Sequence, residues 1–85
     1  MEYKIDIPDY DPATGFIFKW EDGFEISTQF QDNAICISAN TAGLISLANH
    51  LLNLAQVKRP VGGHIHLDDY NSLEAGSIEL IIEKI

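Results

Sequence analysis

The periodicity of the apolar residues changes once, at Asn40, and this change limits the folds that the sequence can adopt. Before Asn40, apolar and polar residues alternate, as they do in strands with one buried face. Over residues 40–56, apolar residues recur three and four positions apart, which predicts an amphipathic helix of about four turns. Asn40 or Thr41 is expected to cap its start by accepting from a free amide of the first turn. The face expected to be buried carries Leu44, Leu47, Ala48, Leu51, Leu54 and Ala55. If that face is fully buried, Leu51→Ala should cost about 2 to 5 kcal/mol.

A hairpin is predicted before the helix. Residues 16–20 and 24–30 both alternate, and the Asp-Gly pair between them favours a tight turn because glycine adopts positive φ. A second polar turn leads to residues 34–38, so three strands should form a meander, and residues 2–7 are a further candidate strand. The aromatic and aliphatic side chains expected inside, against the helix, are Phe16, Phe18, Trp20, Phe24, Ile26 and Phe30.

After the helix, residues 64–68 and 77–85 are strand-like and should form a two-strand C-terminal hairpin with a structured loop between them. The predicted fold class is α+β, with an antiparallel sheet of about five to six strands and one amphipathic helix packed on one face. A chain of 85 residues has room for one core, so residues 1–85 are expected to form a single domain.

The charge of the chain restricts its partners. It has 13 acidic and 5 basic residues, a formal net charge of -8, and such a field repels phosphate backbones and anionic membranes. Nucleic acid and membranes are therefore not expected as partners. A basic protein would associate faster with this chain, although the acidity is also compatible with a purely solubilising role.

The single cysteine and the start of the chain predict a cytoplasmic protein. Cys36 cannot form an internal disulfide, and its strand-like surroundings place it in the core. The N-terminus lacks the basic and apolar regions of a signal peptide. No run of about eighteen apolar residues is present, so no membrane-spanning helix is expected.

The segment GGHIHLDDY, residues 62–70, raises the question of a metal site. In a strand, His64, His66 and Asp68 share one face and could hold zinc or a similar ion that activates water, which would make the chain a small metal-binding protein or hydrolase. The simpler interpretation is a polar strand face that pairs with glutamates on the next strand. On that interpretation the chain is not an enzyme and has no cofactor. His50, at the edge of the apolar stripe of the predicted helix, is interpreted as a boundary residue.

Two runs of sequence resemble a known family. ANTAGLISLANHLLNLAQ, residues 39–56, and GGHIHLDDYNSLEAGSIELIIEKI, residues 62–85, resemble the C-terminal half of the immunity protein 32 family, and FIFKWEDGFEI resembles it more loosely. Members are small cytoplasmic proteins assigned to bacterial polymorphic toxin systems. The resemblance implies a protein that binds and blocks a cognate toxin, and it implies no catalytic residue.

An acidic inhibitor suits a basic toxin, because it can occupy the positive groove that otherwise holds phosphate. Tyr70 could anchor such a partner among carboxylates. The candidate contact residues are His66, Asp68, Asp69, Tyr70, Glu79 and Glu83. The same carboxylates are also compatible with a solvated rim. A third interpretation is a structural module that forms a homodimer through an exposed strand edge, for which the apolar C-terminal run ELIIEKI is the candidate.

Overall fold

The computed structural model describes all of residues 1–85 and contains four strands and one helix. In chain order these are β1 (Ile26–Gln31), β2 (Ala34–Ala39), α1 (Thr41–Leu54), β3 (His64–Leu67) and β4 (Leu80–Glu83). β1 pairs antiparallel with β2, and β3 pairs antiparallel with β4. The fold is α+β, as predicted, but the prediction of one sheet with five to six strands is wrong. The strands form two separate two-stranded sheets.

The predicted hairpin across the Asp-Gly pair is also wrong. The turn itself forms, with Gly23 at a φ of 75°, but residues 2–7 and 16–20 lie in no strand. β1 pairs with β2 instead, across a two-residue turn in which Asp32 and Asn33 both adopt positive φ. Aspartate and asparagine tolerate this conformation better than other non-glycine residues. The chain can therefore reverse direction directly after β1, so that β2 becomes the antiparallel partner of β1.

Residues 1–25 form an irregular segment, and residues 6–21 of it contact the polar side of α1. Backbone groups outside regular structure need partners when they are removed from water, and side chains of the helix supply them here. Along the helix, the Glu21 amide donates to Ser46 Oγ at 2.9 Å, Asn49 Nδ2 donates to the Asp6 carbonyl at 3.0 Å, and Asn53 Nδ2 donates to the Ile17 carbonyl at 3.1 Å. Just beyond the helix, Gln56 donates to the Pro8 carbonyl and accepts from the Tyr10 amide.

The helix therefore buries polar side chains, and the face predicted to be buried lies only partly inside. Leu54 is buried and Leu47 packs against the core, but the rest of that face does not turn inward. The buried residues of the helix include Ser46, Asn49 and Asn53, whereas Leu44 and Leu51 are 57% and 48% exposed. The leucine spacing predicts the helix itself but not its orientation, because the polar side chains are needed to bond the unpaired backbone of residues 1–25.

The apolar core lies where the two hairpins meet. Its buried members are Ile26, Leu67 and Leu73, and the half-buried side chains packed against them are Trp20, Phe24, Ala39, Leu47 and Leu80. The loop between β3 and β4 reaches β1, where the Glu74 amide donates to the Ile26 carbonyl at 2.8 Å and the Ile78 amide donates to the Thr28 carbonyl at 3.2 Å. This loop connects the two sheets through the backbone.

The β1–β2 hairpin covers the core only at its base. Ile26 and Ala39 pair at that end, whereas Phe30 and Ile35 pair near the turn and are exposed. Phe30 therefore lies outside the core in which it was expected. Cys36 is exposed as well, because strand alternation places it on the face opposite to Ile26 and Ala39, which are the residues of the hairpin that meet the core. The prediction of a buried cysteine is therefore wrong.

Asn40 is the N-cap of α1, one of the two capping residues that the sequence suggests. Its Oδ1 accepts from the Gly43 amide at 2.8 Å and from the Glu25 amide at 3.0 Å, and its Nδ2 donates to the Gly23 carbonyl at 2.9 Å. One side chain thus starts the helix and also fixes the segment that leads into β1. No helix in the structure is long and apolar enough to cross a membrane.

Gly43 lies in the first turn of α1, where the helix meets the β1–β2 hairpin. A Cβ at this position would lie 2.5 Å from the Glu25 carbonyl oxygen and 2.9 Å from Ile26 Cγ1. We expect Gly43→Ala to lower the free energy of unfolding by about 1 to 3 kcal/mol in urea denaturation, although alanine is the better helix former. The control is Thr41→Ala at an exposed position of the same turn, which should change stability far less. A Gly43→Ala protein as stable as the wild type would contradict this close approach.

Candidate functional site

The two faces of the β3–β4 hairpin differ in chemistry. Ile65 and Leu67 are buried, and they pair with Ile82 and Leu80 on the inner face. On the outer face, His64 lies opposite Glu83, and His66 lies opposite Ile81. The alternation of side chains along the two strands predicts this arrangement, including the polar outer face.

His66 and Glu79 form a cross-strand ion pair on the outer face when the imidazole is protonated. The His66 Nδ1 atom lies 3.2 Å from Glu79 Oε2, and both side chains are about half exposed. The rings of His64 and His66 are 4.9 Å apart between centroids, edge to face. A pair with this exposure contributes at most about 1 kcal/mol to stability, so it orients the two side chains more than it stabilises the fold.

Asp68 is directed into the loop after β3 and not toward the histidines. Its Oδ1 atom accepts from the Tyr70 amide at 3.0 Å and from the Asn71 amide at 3.1 Å. No group of three histidine, cysteine, aspartate or glutamate side chains in the structure could hold a metal ion. The structure therefore does not gather His64, His66 and Asp68 into the metal site that the alternative interpretation requires.

The loop between β3 and β4 presents Tyr70. This side chain is 97% exposed, and it follows two aspartates that hold the loop in shape. Asp69 Oδ2 accepts from the Gly76 amide at 3.3 Å, in addition to the bonds that Asp68 makes. Of the six candidate contact residues, His66, Glu79 and Glu83 lie on or beside the outer face of the hairpin, Tyr70 projects from the loop, and Asp68 and Asp69 mainly position that loop.

The sequence does not predict that two aromatic residues lie near this face. A small cleft beside the hairpin is lined by Phe18, Trp20, His66, Leu67, Asn71 and Ser72. The rings of Phe18 and Trp20 are stacked with centroids 5.8 Å apart. They come from the irregular N-terminal segment, whose position no local pattern indicates. Strand alternation, in contrast, does place the exposed Ile81 beside the candidate contact residues.

The hairpin region is uniformly acidic. Residues 60–83 contain five carboxylates and no lysine or arginine. The next residue, Lys84, donates from Nζ to the carbonyls of Gln56 and Arg59, both at 2.8 Å. Its positive charge is therefore directed at the backbone that follows the helix. The outer face therefore presents a negative field to an approaching partner.

His50 is a core residue, and its interpretation as a boundary residue is wrong. It is fully buried, and its ring lies 4.4 Å from the Trp20 ring and 5.1 Å from the Phe18 ring between centroids. Neither ring nitrogen has a hydrogen-bond partner. Burial lowers the pKa of His50 from 6.5 to about 4, so the imidazole is neutral at pH 7. With no solvent contact, this histidine contributes to packing and not to a binding surface.

A family model described as immunity protein 32 matches residues 34–85, from the first residue of β2 to the end of the sequence. The chain belongs to the immunity protein 32 family. The part matched by the immunity protein 32 model includes α1, the β3–β4 hairpin and all six candidate contact residues, whereas β1 and the irregular N-terminal segment lie outside it. No curated protein and no solved structure matches the chain.

Proposed function

We propose that this protein neutralises a cognate bacterial toxin by binding it, without catalysis and without a cofactor, in the cytoplasm of the cell that makes the toxin. The single observation that carries the proposal is membership of the immunity protein 32 family. The acidic character of the chain supports a basic toxin as the partner, because opposite charge accelerates association and favours the correct orientation.

The contact surface that we propose is the outer face of the β3–β4 hairpin together with the loop that carries Tyr70. Three features support it. The face carries Glu79 and Glu83, it has the exposed apolar side chain of Ile81 between them, and the loop holds an almost fully exposed aromatic ring. Aromatic side chains surrounded by polar groups are typical anchors of protein interfaces. Tyr70 would enter the toxin surface while the carboxylates face its basic groups.

The function is tested by coexpression. Each candidate toxin domain encoded beside this gene is expressed in a bacterial host with and without the protein, and growth is compared. We expect one of these toxins to arrest growth alone and to lose this effect when the protein is present, with a stable complex on purification. Unchanged toxicity of every candidate in the presence of folded protein would contradict the proposal.

The contact surface is tested by charge reversal. In the double variant Glu79→Lys with Glu83→Lys, we expect the association rate with the toxin to fall at least about tenfold at low salt, because steering by the local field is lost. The measurement is surface plasmon resonance at several salt concentrations. The control, Glu2→Lys with Asp9→Lys, changes the net charge equally at exposed residues outside the hairpin. Equal rate losses in both double variants would show that only the overall charge matters and would rule out this face.

A further inference from the structure

The outer edge of β2 is an open strand edge. β2 pairs with β1 along one side, and no other backbone hydrogen bond involves Ala34–Ala39. The opposite edge of β1 is occupied, because amides of the β3–β4 loop donate to its carbonyls at Ile26 and Thr28. The hairpin therefore has one edge closed by the loop and one edge with free amides and carbonyls, which is a template for another strand.

β2 lacks the features that usually protect a strand edge. Its six residues, AICISA, contain no charge and no proline, and five of them are exposed. The other hairpin is different, since β3 and β4 have four residues each and carry histidines or glutamate. The C-terminal run that the sequence suggests as a pairing edge is thus the better protected of the two, and β2 is the edge open to pairing.

The same strand leaves apolar side chains uncovered. Phe30 lies opposite Ile35 on one face of the β1–β2 hairpin, and Ile37 lies on that face as well. All three are exposed, Ile35 by 68%. A strand added beside β2 would continue this face and bring its own side chains against these residues, so edge pairing and apolar burial would occur together.

The distribution of charge indicates what occupies this edge. All 13 acidic and all 5 basic residues lie outside residues 33–57, so β2 and α1 carry no charged side chain. A basic partner would find no charged side chain on this strand with which to pair. Two copies of this acidic chain repel each other elsewhere, but they can approach along an uncharged edge. We propose that a second copy of this chain pairs with β2 through its own β2, in antiparallel orientation, to form a four-stranded sheet across a two-fold axis.

The register follows from symmetry and side chains. In a two-fold antiparallel pair, one residue lies opposite its own copy. If that residue is Cys36, near the centre of β2, Ile35 of each copy lies opposite Ile37 of the other. The same register brings Asp32 of the turn beside Asn40 of the second copy, at the positive end of a helix whose first turn has no acidic residue. Both pairings are favourable, so we assign this register.

The pairing is tested on the purified protein alone and does not depend on the toxin. Size-exclusion chromatography with light scattering should give twice the chain mass of 9.5 kDa at high concentration and dissociation on dilution. Ile35→Lys, at an exposed position of the edge, should give the single-chain mass at every concentration. The control is Ile81→Lys, which places the same charge on an exposed isoleucine of β4 and should leave the dimer intact. Circular dichroism verifies that both variants are folded.

Cys36 reports the register in the wild-type chain. Residues directly opposite in an antiparallel pair have Cα atoms about 4.5 to 5.5 Å apart, within the range that a disulfide spans. Copper phenanthroline should therefore join two chains by one S–S bond, as the two thiols release two protons and pass two electrons to the copper. A nonreducing gel should show a covalent dimer, and Cys36→Ser should abolish it. A monomer at all concentrations, a dimer that survives Ile35→Lys, or a dimer without this bridge would overturn the proposal.

Discussion

Leu54→Ala is expected to lower the free energy of unfolding by about 2 to 5 kcal/mol, whereas Leu51→Ala should lower it by about 1 kcal/mol or less. Leu54 is 5% exposed and Leu51 is 48% exposed, so truncation leaves a cavity at the first position and mainly removes solvated surface at the second. The measurement is urea denaturation of both variants, followed by circular dichroism.

The two variants control each other. They make the same chemical change on the same helix, so their difference in stability reports burial and not helix propensity. The leucine spacing in the sequence predicts that Leu51 and Leu54 lie on one buried face. If the helix had that orientation, both alanine variants would lose a similar, large amount of unfolding free energy. Such a result would contradict the inward polar face of α1.

Acidification is expected to destabilise the fold through His50. Burial lowers the pKa of its imidazole from 6.5 to about 4, so the unfolded chain binds this proton more tightly than the folded chain. The contribution of neutral His50 is complete above pH 6.5 and is lost as the pH falls toward 4. The difference between the two pKa values corresponds to about 3 kcal/mol of unfolding free energy, which is a large part of the stability of a small domain.

The measurement is the free energy of unfolding of the wild type and of His50→Leu between pH 7 and pH 4. The leucine variant fills a similar space among the rings of Phe18 and Trp20, and it should lose about 3 kcal/mol less over this interval than the wild type. His64→Leu is the matched control, because folding does not bury that exposed imidazole. Parallel pH profiles for wild type and His50→Leu would refute the effect of burial.

The residues that the sequence predicts correctly are those whose environment is set by near neighbours. Alternation along 64–67 and 80–83 places Ile65 and Leu67 on the inner face and His66 near Glu79 on the outer face, because strand geometry alone determines these faces. Asn40 as the N-cap is similarly local, since its side chain reaches an amide three residues ahead.

Several of the errors concern contacts between distant segments. The face that α1 turns inward is determined by hydrogen bonds to carbonyls and amides of residues 1–25. Every residue has these backbone groups, so the pattern of side chains in the sequence does not indicate which of them need a partner. The cleft beside His66 depends on Phe18 and Trp20 from the same segment. The role of Asp68 escapes prediction for a related reason, because a carboxylate that accepts from loop amides has the same sequence appearance as one that faces a partner.

The bonds between α1 and residues 1–25 have a consequence for sequence variation in the family. Ser46, Asn49 and Asn53 contact backbone atoms, and every residue type offers a carbonyl, while every type except proline offers an amide. On the helix, each contact therefore requires a particular amino acid. In the N-terminal segment, it requires only that the backbone follows the same course along the helix. Relatives should therefore keep hydrogen-bonding residues on this helix face while their N-terminal segments diverge, which accords with a family match that begins at Ala34.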